Sequence, residues 1–243
     1  MISNPAFPHL SVIIPAYNEE RSIRESLRRI ESFLSFKAYD WECIVSSDGS
    51  SDKTVDFVND FIKNHPSGRF RLVSNDKNHG KGFTVRRGIL AAGGKYLLVT
   101  DADLSAPIKE VDKLTKALDE GYDIAVGSRA LADKSGDVQQ SFKRWFAGRV
   151  FNGLVRAVVL RGFSDTQCGF KCFKKEAARR LFQMQRLDGF GFDVEILYLA
   201  QKEGLRVKEV PIMWRQAPGS HVRLMRDSLS MFRELFLIRK YHA

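Results

Sequence analysis

A chain of 243 residues, 44% hydrophobic and 28% charged, has an ordinary globular composition with enough apolar material for a sizeable core. Its 39 Lys and Arg against 29 Asp and Glu leave a net charge of +10, which points to an anionic partner: a nucleotide phosphate, a nucleic acid or an acidic membrane surface. No run approaches the length of about 18 apolar residues needed to span a membrane, no basic-then-apolar signal opens the chain, and the three cysteines show neither zinc-ligand spacing nor an even disulfide set, so a reducing, cytoplasmic setting is expected.

The first expected strand is Leu10-Ser11-Val12-Ile13-Ile14, ended by Pro15, after which Asn18 is placed to cap a helix beginning at Glu19. Ile23, Leu27, Ile30 and Leu34 then share one helical stripe. Trp41 to Val45 reads as a second strand, followed by the polar loop Ser46 to Asp52 and a helix carrying Val55, Val58 and Ile62. Arg69 to Val73 is a third strand, and the loop Asn75 to Gly82 leads into a helix through Ile89 and Leu90 that stops at Gly93-Gly94. Tyr96-Leu97-Leu98-Val99 is the fourth strand, and it runs straight into Thr100-Asp101-Ala102-Asp103. Past Pro107, the residues Ile108, Val111, Leu114 and Leu118 mark a helix closed by Gly121, and Tyr122 to Val126 a fifth strand. Strands alternating with helices predict an α/β fold, a mostly parallel sheet with helices on both faces.

After Gly127-Ser128-Arg129 the rhythm changes to a polar stretch over 130–140 and a basic amphipathic segment over 142–160, where Phe142, Trp145, Phe146 and Leu154 stand beside Lys143, Arg144, Arg149 and Arg156. A second such segment lies in 221–243, with Met225, Leu229, Phe232 and Phe236 on one stripe among Arg223, Arg226, Arg233, Arg239 and Lys240. Each reads either as a core-packing helix with a solvated basic face or as a membrane-surface helix, and finding two favours the membrane.

Asp101 and Asp103, spaced i, i+2 at a strand end, can project into the crevice where open α/β sheets place their ligands, and they suit a hard divalent cation bridging to phosphate oxygens. One Asp-x-Asp carries little weight alone. The weight comes from three polar tips in order at successive strand ends: Pro15 to Glu19, Ser47 to Asp52, and Asp101 to Asp103.

Those tips, with Asn78-His79-Gly80-Lys81-Gly82 and Gly127-Ser128-Arg129, resemble the family 2 glycosyltransferases of GT-A fold, whose sheet is Rossmann-like. Asp165-Thr166-Gln167-Cys168-Gly169-Phe170-Lys171, Gly191-Phe192-Asp193-Val194-Glu195 and Glu209-Val210-Pro211-Ile212-Met213-Trp214 resemble the branch acting on dolichyl or polyprenyl phosphate, most closely the dolichyl-phosphate β-glucosyltransferases. The resemblance implies a GT-A domain over 1–220, with 221–243 as an appended basic helix, in an inverting transferase that moves glucose from UDP-glucose to a polyisoprenyl phosphate while docked peripherally on the cytosolic face of a membrane. It implies that Pro15, Tyr17, Glu19 and Asp48 hold the base and ribose, with Lys81 and Asp101 near the nucleotide, and that Asp103 binds Mg²⁺ or Mn²⁺ together with Asp101. The family often has two acidic residues before the Gly-Ser of its second motif, where this chain has Ser47 and Asp48.

Arg129, Arg144 and Lys171 are the candidates for holding the acceptor phosphate, a monoester whose second pKa of about 6 leaves it largely ionised at neutral pH, so that no strong base is needed. Asp193 stands where relatives with hydroxyl acceptors place their base, which keeps a soluble, hydroxyl-directed transferase as the alternative; it reads equally as a helix N-terminal acid. Asp48 and Asp52 also read as turn and cap residues, and Lys81 as a solvated loop lysine. A basic nucleic-acid-binding module is disfavoured by the acidic strand ends, and a sugar-nucleotide pyrophosphorylase by the missing glycine-rich, arginine-containing first loop.

Overall fold

In a computed structural model, described over residues 7–132, 138–139, 153, 160, 162–215 and 224–242 (the side chains of 138–139 and 224–232 excepted), the apolar runs pair edge to edge. The strands are β1 (Leu10–Ala16), β2 (Trp41–Ser47), β3 (Phe70–Ser74), β4 (Tyr96–Val99), β5 (Ile124–Ser128), β6 (Val138–Gln139), β7 (Lys171–Lys174), β8 (Val207–Pro211) and β9 (Trp214–Arg215). Between and after them lie α1 (Ile23–Leu34), α2 (Thr54–Asn64), α3 (Lys81–Ala91), α4 (Val111–Asp119), α5 (Arg129–Ala132), α6 (Lys175–Met184), α7 (Phe192–Lys202) and α8 (Leu224–Tyr241). The main sheet runs β3-β2-β1-β4-β7-β5-β8, and β6 pairs with β9 separately. All neighbours in the main sheet are parallel except at β7, which lies antiparallel between β4 and β5.

The pleat sorts side chains between two helical layers. Leu10, Val12 and Ile14 face the cluster built with α1, α2 and α4, whereas Ile13, Ile44, Leu97 and Val99 face the one built with α3, α6, α7 and α8. Burial on both faces explains why these strands read as continuous apolar runs. The stripe Ile23, Leu27, Ile30 and Leu34 is fully buried, each side chain contributing about 1.5–3 kcal/mol by leaving water.

Several features depart from the sequence reading, which expects none of β6 to β9 and reads 130–140, where α5 ends and β6 lies, as a loop. The first helix begins at Ile23, and Asn18 does not cap it: Asn18 takes the left-handed conformation, φ 56°, and its side-chain oxygen accepts from the Ser51 amide at 2.9 Å. The chain spends that residue tying two loops together, so the helix starts later. Strand β7 was not foreseen, being short and bracketed by lysines. In α8 the described core-facing side chains are Leu235 and Ile238, fully buried in the second cluster; Phe236, expected on the apolar stripe, is 53% exposed beside exposed Arg233, Arg239 and Lys240. Apart from 153 and 160, the basic segment 142–160, with Arg144, lies outside the described residues, as do the side chains of Met225, Leu229 and Phe232. No helix among the described residues is long and apolar enough to cross a membrane.

Candidate active site

The parallel strands β1, β2 and β4 end on one edge of the sheet, which brings the three polar tips together. The loops after β1 and β2 interlock through backbone donors: the Asn18 amide donates to Ser50 Oγ at 3.1 Å, the Glu19 amide to Thr54 Oγ1 at 2.7 Å, and the Glu20 amide to Asp52 Oδ2 at 3.0 Å. Asp52 Oδ1 also accepts from the Thr54 amide at 2.9 Å at the start of α2. Burial works against the Asp52 charge, but the donors from Thr54 and Glu20 outweigh it and hold the carboxyl below its usual range. Pro15 is buried within β1, and Tyr17 is 43% exposed on the rim. Glu19 Oε2 accepts from Ser22 Oγ at 2.6 Å.

Asp48 is buried, and both its oxygens are engaged by the protein: Oδ1 accepts from Asn75 Nδ2 at 2.8 Å and the His79 amide at 3.0 Å, Oδ2 from the Gly80 amide at 2.8 Å. It fastens the loop that delivers Lys81. That lysine is the first residue of α3, and its Nζ donates to Asp101 Oδ1 at 2.6 Å. Burial disfavours the Lys81 charge, yet Asp101, Asp193 and Asp103 outweigh it and raise its pKa. Asp101 mirrors this: burial opposes its charge, but Lys81, Arg129 and Lys171 together hold it low. Asp103 goes the other way, raised by burial and by the neighbouring Asp101 despite accepting from the Ser105 amide at 2.9 Å.

The donor set of Asp101 and Asp103 fits a hard cation. Two carboxylates raise one another's cost of ionisation, and Asp103 lacks a cationic partner of its own at bonding distance among the described residues. No cluster of three or more His, Cys, Asp or Glu among the described residues makes a cage. Such a pair suits Mg²⁺ or Mn²⁺ shared with water and substrate phosphate rather than a metal held by protein alone.

Two further ion pairs border this corner. Arg129 grips Asp165 in bidentate fashion, Nε to Oδ2 at 2.7 Å and Nη2 to Oδ1 at 2.8 Å, while its own amide donates to Oδ2 at 3.0 Å. Lys171, almost wholly buried, donates to the Cys168 carbonyl at 2.6 Å and pairs with Asp193 Oδ1. Of the expected residues, Pro15, Tyr17, Glu19, Asp48, Lys81, Asp101, Asp103, Arg129, Lys171 and Asp193 therefore occupy the strand-end region, and Arg144 lies outside the described residues. Sequence reading had not singled out Asp165 as the holder of Arg129, nor Glu209, whose oxygens accept from the Ser164 and Asp165 amides at 2.8 and 2.9 Å. It also passed over Gly169: a Cβ there would lie 2.2 Å from Asp101 Oδ2, so only glycine lets the chain approach that carboxylate. All three stand in the quoted motifs, which were the available signal. All three cysteines are free and buried, in keeping with packing roles.

Replacing Asp48 with Asn leaves one acceptor oxygen and sets an amide NH₂ against backbone donors. Asp48→Asn is expected to cost about 1–3 kcal/mol, read as a lower urea midpoint at unchanged slope; an unchanged midpoint would contradict the role given to this carboxylate.

Residues 11–182 match the family model described as Glycosyl transferase family 2. The dolichyl-phosphate beta-glucosyltransferase of Drosophila melanogaster is 39% identical, covering 94% of this chain and 74% of that protein. That of Dictyostelium discoideum is 37% identical, with 95% and 74% covered, and that of Homo sapiens 34% identical, with 95% and 74% covered. Among solved structures, glucosyl-3-phosphoglycerate synthase from Mycobacterium tuberculosis in complex with UDP superposes with a TM-score of 0.69 at 22% identity, over 95% of this chain and 78% of that one. The same enzyme with Mn²⁺, UDP and glucosyl-3-phosphoglycerate gives 0.67 at 22% identity, over 96% and 78%. The solved neighbours share the fold; the family model and the relatives above 30% identity make this chain a member of glycosyl transferase family 2, a glycosyltransferase similar to the dolichyl-phosphate β-glucosyltransferases.

Proposed function

We propose that this chain transfers glucose from UDP-glucose to the phosphate of a dolichyl or related polyisoprenyl lipid, with inversion at the sugar carbon, aided by Mg²⁺ or Mn²⁺ at Asp101 and Asp103. The relatives named as dolichyl-phosphate beta-glucosyltransferases support the acceptor. Neighbours solved with Mn²⁺, UDP and UDP-glucose support the donor and the metal.

The observation that carries this reading is the buried Lys171–Asp193 pair. Had the acceptor been a hydroxyl, Asp193 would need to meet its proton, but Asp193 is buried and its Oδ1 is already taken by Lys171 Nζ. A phosphate monoester needs no base. Its oxygen attacks the sugar C1 as the bond from C1 to the diphosphate oxygen breaks, and the electron pair leaves with UDP. A bound divalent cation supplies Lewis-acid stabilisation of that diphosphate. Lys81 offers its positive charge in the same corner, tuned by Asp101. Arg129 has Nε and Nη2 committed to Asp165, which fixes the guanidinium plane and leaves its Nη1 edge for an acceptor phosphate oxygen.

The protein is further proposed to work peripherally on the cytosolic face of a membrane. The exposed Phe236 beside Arg233, Arg239 and Lys240 supports this, an apolar anchor flanked by cations being suited to an anionic lipid surface. The positive net charge is thereby assigned to nucleotide and lipid phosphates, with no nucleic-acid partner.

Purified protein is to be incubated with a panel of labelled nucleotide sugars and either dolichyl phosphate or hydroxylic sugar acceptors. A glucosylated lipid from UDP-glucose is expected; transfer to hydroxyls with no lipid product would overturn the reading. The metal gives a second test. Because the Asp103 pKa is raised, its proton competes with a cation as pH falls towards that value, and in the metal-free protein Asp103 favours the fold on the acid side and loses that contribution as pH rises. The rise in melting temperature given by Mn²⁺ with UDP should be larger at pH 7.5 than at pH 5, and Asp103→Asn should abolish most of it; an equal rise in the variant would place the cation elsewhere.

A further inference from the structure

The Gly189-Phe190-Gly191-Phe192 stretch has no part in the chemistry above, yet two of its residues leave no room for a side chain. A Cβ on Gly189 would lie 2.5 Å from Glu234 Oε1, and one on Gly191 2.5 Å from Glu234 Oε2. The two glycines thus form a seat for a single carboxylate, which reaches in from α8 and accepts from the Gly191 amide at 2.8 Å. Gly191 caps the start of α7: its carbonyl accepts from the Val194 and Glu195 amides at 3.1 and 3.0 Å, and Asp193, the partner of Lys171, follows two residues later.

The same loop abuts the nucleotide side. A Cβ on Gly80 would lie 2.4 Å from the Asp188 carbonyl, and the Phe83 amide donates to that carbonyl at 3.2 Å, so residues next to Gly189 brace the start of α3 where Lys81 sits. Glu195, wholly buried, accepts from the Arg186 and Leu187 amides at 2.8 and 2.9 Å, and His242, just past α8, meets its Oε1 through Nε2 at 2.6 Å. The loop 186–191 is therefore clasped between α3 and α8, with carboxylates fixing its amides from both ends.

We propose that Glu234 is a positioning residue: by holding the Gly189–Gly191 turn it sets where Asp193 meets Lys171, making α8 a working part of the transfer site rather than only a surface helix. Glu234 touches no reacting atom in this scheme. Its effect passes through the Gly191 amide to the first turn of α7, and from there to the buried ion pair. The inference rests on the proposed role of that pair in the transfer site.

The test compares Glu234→Ala, which leaves the Gly191 amide without its acceptor, with Glu234→Gln, whose amide oxygen replaces that acceptor, and Leu235→Ala, which loosens the packing of α8 but keeps the carboxylate. Glucosyl transfer to dolichyl phosphate, UDP affinity by calorimetry and the ¹⁵Nζ resonance of Lys171 are measured for each. Glu234→Ala is expected to lower kcat on the order of tenfold or more, with UDP affinity within about twofold, and to shift the Lys171 resonance; Glu234→Gln should restore both the rate and the resonance. Leu235→Ala should lower the melting temperature while leaving kcat and the resonance near those of the parent.

Wild-type kcat in Glu234→Ala, an equal loss in Glu234→Gln, or a matching loss in Leu235→Ala would overturn the proposal. Should Glu234→Ala fail to fold, the other two variants decide, since the proposal requires both to keep the parent resonance. If the parent shows no transfer to lipid, the proposed function fails, and the Lys171 resonance still reports whether Glu234 positions the pair.

Discussion

Asp101 has to remain an anion at the end of β4, and Lys81 is what keeps it so. The carboxylate sits beside Asp103, whose charge repels it, in a partly buried corner that disfavours any charge at all. A direct bond from Lys81 Nζ, reinforced by the fields of Arg129 and Lys171, reverses that balance. Without it the two strand-end aspartates would compete to be protonated, as paired carboxylates do. With it, one carboxylate is pinned while the other stays raised in pKa.

The scaffold serves that corner in a specific way. Parallel pairing of β1 with β2 and of β1 with β4 delivers three loops to one edge, and the antiparallel β7 brings Lys171 to the same edge from the opposite direction. Each cation then meets its carboxylate across the fold: Lys81 with Asp101, Arg129 with Asp165, Lys171 with Asp193. Glycines allow the close approaches, Gly169 against Asp101 and Gly80 against the Asp188 carbonyl. The crevice is thus lined by three ion pairs, with Asp103 beside them lacking a cation of its own at bonding distance among the described residues.

Much of this was legible in the residues and some was not, for physical reasons. Strands β1, β2 and β4 were readable because burial on both faces forces unbroken apolar runs, and α1 because Ile23, Leu27, Ile30 and Leu34 keep a helical period. Strand β7 was not, because Lys171 opens it and its charge is buried against Asp193 from a different element, which hydropathy alone cannot foresee. Asn18 looked like a cap because that side chain commonly is one; a contact to Ser51 on another loop decided otherwise. The site residues came from motif order, but their pairings join positions far apart in the chain. Only the fold reveals that Arg129 is held by Asp165 or that Asp193 is paired with Lys171. In α8 the apolar positions Leu235, Phe236 and Ile238 lie close in sequence, and the choice of which face turns inward belongs to the packing against the second core cluster.

A double-mutant cycle on Lys81 and Asp101 reads the coupling of this corner most directly. UDP affinity in the presence of Mn²⁺ is measured by calorimetry for the parent, Lys81→Met, Asp101→Asn and the double variant. If the two side chains act as one unit, the double variant loses less than the sum of the single losses, by about 0.5–3 kcal/mol. Losses that add within about 0.3–0.5 kcal/mol would show that Lys81 and Asp101 contribute independently, and the site would have to be rebuilt around a different pair.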